Sequence, residues 1–235
     1  MAIRIAREYS GGTGIIVSQE AYHGTSDLTS GCSPALGTGQ TLAATTRLVA
    51  APDQYRFEGE DLGDWFAAQI QAQIDDMNAN GIKFAGFLAD SIFSSDGVMP
   101  NPIGFLKKAV DVVHANGGIF IADEVQPGFA RTGDSFWGFG RHGVVPDIIT
   151  TGKPMGNGIP VSGLLAKDHV LSAFSQKIPY FNTFGGNPVA MAAAQAVLKT
   201  IQEEELQAHS QRLGGLLLTE LRKLMEKYDC VGDVR

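Results

Sequence analysis

Residues 119–158 read IFIADEVQPGFARTGDSFWGFGRHGVVPDIITTGKPMGNG, and this stretch decides the fold. Two short apolar runs, IFIA and DIIT, have β character, and each ends in a polar cluster. The first delivers Asp123, Glu124 and Gln126; the second delivers Lys153. At the carboxyl ends of parallel strands, both clusters face the crevice where open α/β sheets bind ligands. A carboxylate and an amine are thereby brought to one place from distant points in the chain.

Outward from this stretch, the pattern alternates between strand and helix. Leu62, Phe66, Ile70, Ile74 and Met77 recur at helical spacing, which predicts an amphipathic helix over about 60–80. Phe84 to Ala89 reads as a buried strand finishing at Asp90-Ser91. Ile103, Leu106, Val110 and Val113 mark a second helix, closed by Asn116-Gly117-Gly118. Strand, helix and strand joined by tight links predict a mostly parallel sheet flanked by helices, a three-layer α/β/α arrangement.

The ends of the chain extend this frame. Met1 to Glu8 is helix-like without an entry cap, Gly14 to Ser18 is a short strand, and residues 25–40 form a Gly/Ser/Thr-rich loop. Beyond Lys153, VSGLLA at 161–166 is a further strand candidate, followed by a short helix from Asp168. Pro188 opens an alanine-rich helix, and Leu213, Leu217, Leu221 and Leu224 carry a last one. The uncapped start and the abrupt stop at Arg235 suggest a chain truncated at both ends.

Composition narrows the function. A formal net charge of −7 argues against a general nucleic-acid or anionic-membrane surface. Cys32 and Cys230 are far apart and have no metal-ligand spacing, which favours a reducing compartment and excludes a disulfide framework. No apolar run reaches membrane-spanning length, so the expectation is a soluble, cytoplasmic protein.

An apolar run ending in Asp-Glu also fits a magnesium-holding strand of a nucleotide hydrolase. The matching phosphate loop is absent, because Lys153 is followed by Pro154 and Asp147 stands where its first glycine would be. A structural aspartate at a strand end, and a solvated surface lysine, are the plain alternatives. Lys153, set after a buried run and bent between glycine and proline, would be partly desolvated, with the lowered pKa that suits imine chemistry. Paired with Asp123, it meets the two needs of a pyridine-aldehyde cofactor: an amine for the imine and a carboxylate to keep the ring nitrogen protonated.

DEVQPGFARTG at 123–133, ITTGKPMGNGIP at 149–160, YHG at 22–24 and FNTFGGNP at 181–188 together resemble the class III aminotransferases, pyridoxal-phosphate enzymes of fold type I. Within that family they look most like the branch holding alanine–glyoxylate aminotransferase 2 and ethanolamine-phosphate phospho-lyase. The resemblance implies that Lys153 is the Schiff-base lysine and proton shuttle, and that Asp123 pairs with the pyridinium nitrogen. It implies that Val125 packs on one ring face, with Tyr22 or His23 on the other, and that Gln126 bonds the ring hydroxyl. Thr183 would reach the cofactor phosphate of the neighbouring subunit, making a homodimer the working unit. The substrates would be an amino donor and an oxo acid.

The resemblance leaves two rivals open, a phospho-lyase acting on an amino-alcohol phosphate and an inactive fragment that only dimerises or binds. It places the phosphate-cradling glycine/serine loop before Met1 and a small domain after Arg235, so residues 1–235 would be an incomplete large domain. Where the family commonly has Glu-Pro, this chain has Asp90-Ser91, which puts that contact in question. Arg131 reads as structural, and His114, His142, His169 and His209 as ordinary loop histidines.

Overall fold

The computed structural model describes residues 1–235. Six strands form one sheet: β1 (Gly14–Ser18), β2 (Thr46–Val49), β3 (Phe84–Asp90), β4 (Ile119–Asp123), β5 (Ile148–Thr151) and β6 (Gly163–Ala166). Their order is β2-β1-β3-β4-β5-β6, parallel throughout except for β6, which runs antiparallel beside β5. The mostly parallel sheet expected from the sequence is present.

Seven helices accompany it: α1 (Ala2–Ser10), α2 (Asp27–Ser30), α3 (Leu62–Ala79), α4 (Leu106–Ala115), α5 (Asp168–Ser175), α6 (Pro188–Glu203) and α7 (Leu206–Lys227). Local chemistry sets their ends. The Asp61 side chain accepts from the Asp64 N–H to start α3, and Asn187 accepts from the Ala190 N–H to start α6 with Pro188 in its first turn. Gly11, at φ 64°, takes the left-handed conformation that closes α1.

The sheet separates two cores. On one face, Phe66, Ile70, Ile74 and Met77 of α3 and Leu106, Val110 and Val113 of α4 pack on Phe87, Phe120 and Ala122. On the other, Ile3, Ile5 and Ala6 of α1 and Val170 and Phe174 of α5 pack on Ile15, Val17, Leu88, Ile119 and Ile121. Successive β4 residues alternate between the two cores, as the pleat requires. By the same alternation, Asp123 faces the α1 side and Glu124, one residue later, faces the α4 side.

Three expectations are corrected. Ile103 does not belong to α4: it precedes the helix and is 66% exposed. Strand β2 was not foreseen, because its TRLV run is too short and too polar to stand out. The strand expected at 161–166 is shorter, starting at Gly163.

Candidate active site

A cavity of about 910 Å³ opens at the carboxyl ends of β4 and β5, on the α1 side of the sheet. Asp123, His23, Val125, Thr150, Thr151 and Asn182 lie in its wall. Asp123 is the last residue of β4 and stands in register with Thr150 of β5, so Lys153 emerges just beyond the strand that adjoins the carboxylate. The two polar clusters read in the sequence thus meet at one end of the sheet.

Asp123 is held from two sides. Its Oδ2 lies 2.7 Å from His23 Nδ1, and its Oδ1 accepts from the Val125 N–H at 3.2 Å. The His23 side chain is 3% exposed, and its backbone N–H donates to Ser33 Oγ at 2.8 Å, which fixes the loop that carries it. His23 Nε2 and Thr151 Oγ1 are buried without a protein hydrogen-bond partner. Buried polar atoms are paired in the great majority of cases, so two orphans in residues that line one cavity suit a polar ligand there. A pyridine ring with acidic and phenolic substituents matches the polar groups of this wall: a carboxylate, an imidazole and hydroxyls.

Other expected residues lie around the cavity rather than in its wall. Tyr22 is 43% exposed, and Gln126, Lys153 and Thr183 are exposed. The partial desolvation expected of Lys153 is therefore not found. Its flanks are half-buried or buried, but nothing in this chain covers the side chain itself. Its backbone is unusual, at φ 30° in the first position of the 3-10 turn Lys153–Gly156. A non-glycine residue at positive φ is uncommon and marks a position fixed by its surroundings.

Behind the site lies a buried polar network that the sequence did not reveal. Glu124 is fully buried and accepts three hydrogen bonds: from Ser91 Oγ at 2.7 Å, the Gly138 N–H at 2.6 Å and the Phe139 N–H at 3.0 Å. Burial pushes its pKa up to about 7 against those three donors. The Gly104 N–H donates to His142 Nδ1, so Nε2 carries the proton and donates to the Ser91 carbonyl at 2.9 Å. Burial lowers the His142 pKa to about 4, and the ring is neutral. His142 is thus a core residue and not the loop histidine expected.

His114 is no loop histidine either: it lies in the last turn of α4, exposed, with its Nε2 2.7 Å from Asp147 Oδ2. Asp90 and Ser91 make structural contacts. Asp90 accepts from the Ile92 and Ser94 N–H groups, and Ser91 supplies the Glu124 hydroxyl that a proline could not. The only cue to this network was Glu124 itself, set next to Asp123 and turned by the pleat to the opposite face.

Comparison with known proteins agrees with this architecture. The profile of the aminotransferase class-III family matches residues 1–235. An alanine–glyoxylate aminotransferase 2-like protein of Drosophila melanogaster is 36% identical over 246 residues, covering 100% of this chain and 50% of that protein. The solved phospholyase from Arthrobacter, in complex with phosphoethanolamine, superposes with TM-score 0.89 at 36% identity, over 95% of this chain and 54% of its own. The taurine:2-oxoglutarate aminotransferase from Bifidobacterium kashiwanohense, in complex with PLP and glutamate, gives TM-score 0.88 at 25% identity, over 100% of this chain and 55% of its own. The chain spans about half the length of the relatives it matches. It belongs to the class-III aminotransferase family.

Proposed function

We propose that this chain is the cofactor-binding large domain of a pyridoxal-phosphate-dependent transaminase, which moves an amino group from an amino donor to an oxo acid. The reading rests on the Asp123–His23 pair in the cavity wall, with Lys153 emerging beside it from the adjacent strand. Pyridoxal phosphate supplies an electron-withdrawing ring and an aldehyde when bound. Asp123 would keep the ring nitrogen protonated, and His23 would orient that carboxylate. Lys153 would be the residue that holds the aldehyde and, when its amine is free, would move the proton at the substrate α-carbon. Val125 packs under one ring face. Tyr22 or His23 packs on the other face; the Nδ1 edge of His23 is held by Asp123 and fixes its ring. Gln126 bonds the ring hydroxyl.

A homodimer completes the site in this reading, with Thr183 reaching the phosphate of the neighbouring subunit. Support comes from the loop that carries it, where Tyr180, Phe181 and Phe184 are 63%, 84% and 79% exposed next to the cavity wall. An apolar patch of this kind suits a protein partner, here a second copy. No helix is long and apolar enough to cross a membrane. Cys32 and Cys230 are both free, which suits a reducing compartment such as the cytoplasm.

A phospho-lyase is the second reading, favoured by the 36% identity to the Arthrobacter phospholyase. It uses the same proton transfer at the α-carbon but expels phosphate from the β-carbon and needs no oxo acid. The experiment incubates the native polypeptide containing this chain with pyridoxal phosphate, reduces with borohydride and maps the labelled peptide. Label confined to Lys153, and lost in Asp123→Ala, is expected. Label scattered over surface lysines would overturn the reading and leave a dimerising or binding domain. Amino transfer that depends on an oxo acid then selects the transaminase, and phosphate release without one selects the lyase.

A further inference from the structure

We propose that Glu124, clamped by Ser91 and the Gly138 and Phe139 amides, is a positioning residue that fixes the Asp123 end of β4 and backs its carboxylate with a second negative charge. The inference rests on the cofactor reading above. Asp123 and Glu124 are consecutive, yet the pleat sends one to the cavity and the other to the opposite core. All three donors to Glu124 come from outside β4: the hydroxyl at the end of β3 and two amides of the 138–139 turn. The Glu124 N–H in turn donates to the Thr150 carbonyl at 2.8 Å, tying the same point to β5. Through the Ser91 carbonyl the clamp continues to His142, and from there to the Gly104 N–H ahead of α4. Four segments therefore converge on the peptide that follows Asp123.

The clamp is close-packed. A Cβ at Gly138 would stand 2.6 Å from Ser91 Oγ and 2.4 Å from Pro127 Cβ, so the turn sits against the carboxylate only because residue 138 has no side chain. The ionisable group that acts on Glu124 is Asp90 on β3; Asp123 precedes it in sequence but faces the opposite side of the sheet, and His142 is reached through Ser91 and is itself influenced by Arg141 and Asp134. Those that act on Asp123 are His23 and Asp90, with Asp96 beyond His23. Apart from His23, and Arg141 beside His142, these groups are acidic or neutral. Both oxygens of Glu124 accept hydrogen bonds, from the Ser91 hydroxyl and the Gly138 and Phe139 amides, which is the pattern of a carboxylate and makes it a source of negative potential behind the ring-nitrogen partner.

The sign of the effect follows. A negative charge behind Asp123 favours the protonated, more positive form of the bound cofactor. Glu124→Gln removes that charge. Ser91→Ala removes the hydroxyl that helps Glu124 stay ionised, and so acts in the same direction.

The test titrates the visible absorbance band of pyridoxal phosphate bound to the native polypeptide containing this chain. The pH midpoint of the band is expected to fall by about half a pH unit or more in each variant. The double variant is expected to fall no further than Glu124→Gln, because Ser91 acts through Glu124. Midpoints that stay in place while the melting temperature drops would overturn the inference and leave a purely structural clamp. Ser91→Ala deletes a single hydroxyl and carries the test if Glu124→Gln does not fold. A wild type that forms no band overturns the cofactor reading and this inference together; a wild-type band with unmoved variants overturns this inference alone.

Discussion

His23 Nδ1 and Asp123 Oδ2 stand 2.7 Å apart although their residues are 100 positions apart in the chain. The contact joins the loop after β1 to the end of β4, and both side chains are largely buried, at 3% and 12% exposure. In the proposed site this carboxylate meets a ring nitrogen and needs a fixed orientation, which the imidazole supplies from the side away from the Val125 N–H.

Removing that partner should weaken the site and the fold together. His23→Ala leaves a buried carboxylate short of a hydrogen bond, which costs about 1–3 kcal/mol. Pyridoxal-phosphate affinity is expected to fall by about tenfold, the equivalent of about 1.4 kcal/mol, with a lower melting temperature. His23→Asn, which restores an N–H donor, should recover part of both. A fluorescence titration of the cofactor checks this, and unchanged affinity in His23→Ala would remove His23 from the site.

The His142 and Glu124 pair predicts an unusual pH profile of stability. His142 has its folded pKa lowered from 6.5 to about 4, so its contribution is complete above 6.5 and is lost as pH falls towards 4. Glu124 has its folded pKa raised from 4.5 to about 7, so its contribution is complete below 4.5 and is lost as pH rises through 7. Each spans about 3 kcal/mol, and between 4.5 and 6.5 the two slopes oppose each other. Their combined contribution is therefore flat over that interval. In His142→Gln only the Glu124 slope remains, and denaturant unfolding should show stability falling steadily from pH 4.5 to 7. A variant profile as flat as the wild type would refute the assignment.

What the sequence made legible was local. Strand β4 could be read because an apolar run ended abruptly in Asp-Glu, and α3 because Leu62, Phe66, Ile70, Ile74 and Met77 kept strict helical spacing. The Asp123 and Lys153 clusters lie at the same end of the sheet because β4 and β5 are parallel neighbours and each cluster follows its strand. The chain could not reveal which residues the fold would cover. Lys153 has apolar flanks in sequence, but its side chain is exposed, since flanking hydrophobicity does not say what packs over it. Ser91, Glu124 and His142 are separated by 33 and 51 positions in their pairings, and no spacing rule signals a contact at that range. Strand β2 went unread because a four-residue edge strand with intermediate Arg47 and Leu48 lacks the alternation that marks a longer one.

Asp147 allows fold stability to be separated from the site. It precedes β5 at the end of the sheet opposite the cavity, and it is 5% exposed. Its Oδ2 accepts from the Phe120 N–H at 2.8 Å and lies 2.7 Å from His114 Nε2, while its Oδ1 accepts from Lys167 Nζ at 2.8 Å. Burial alone would raise its pKa, but the hydrogen bonds from Lys167, Phe120 and His114 outweigh it and hold the carboxyl below its usual value. Its contribution is therefore present above the unfolded value of 3.8 and is lost as pH falls through the lower folded value. Asp147→Ala leaves the buried Phe120 N–H unpaired and Lys167 and His114 without their carboxylate, a loss of about 3 kcal/mol. Chemical denaturation at neutral pH should show that loss, and it should shrink once the wild-type carboxyl is protonated in acid. At temperatures where the variant stays folded, its cofactor affinity should match the wild type, because nothing in the contact reaches Asp123, His23 or Lys153. A fall in affinity without a fall in stability would show that the two ends of β4 are coupled, contrary to this account.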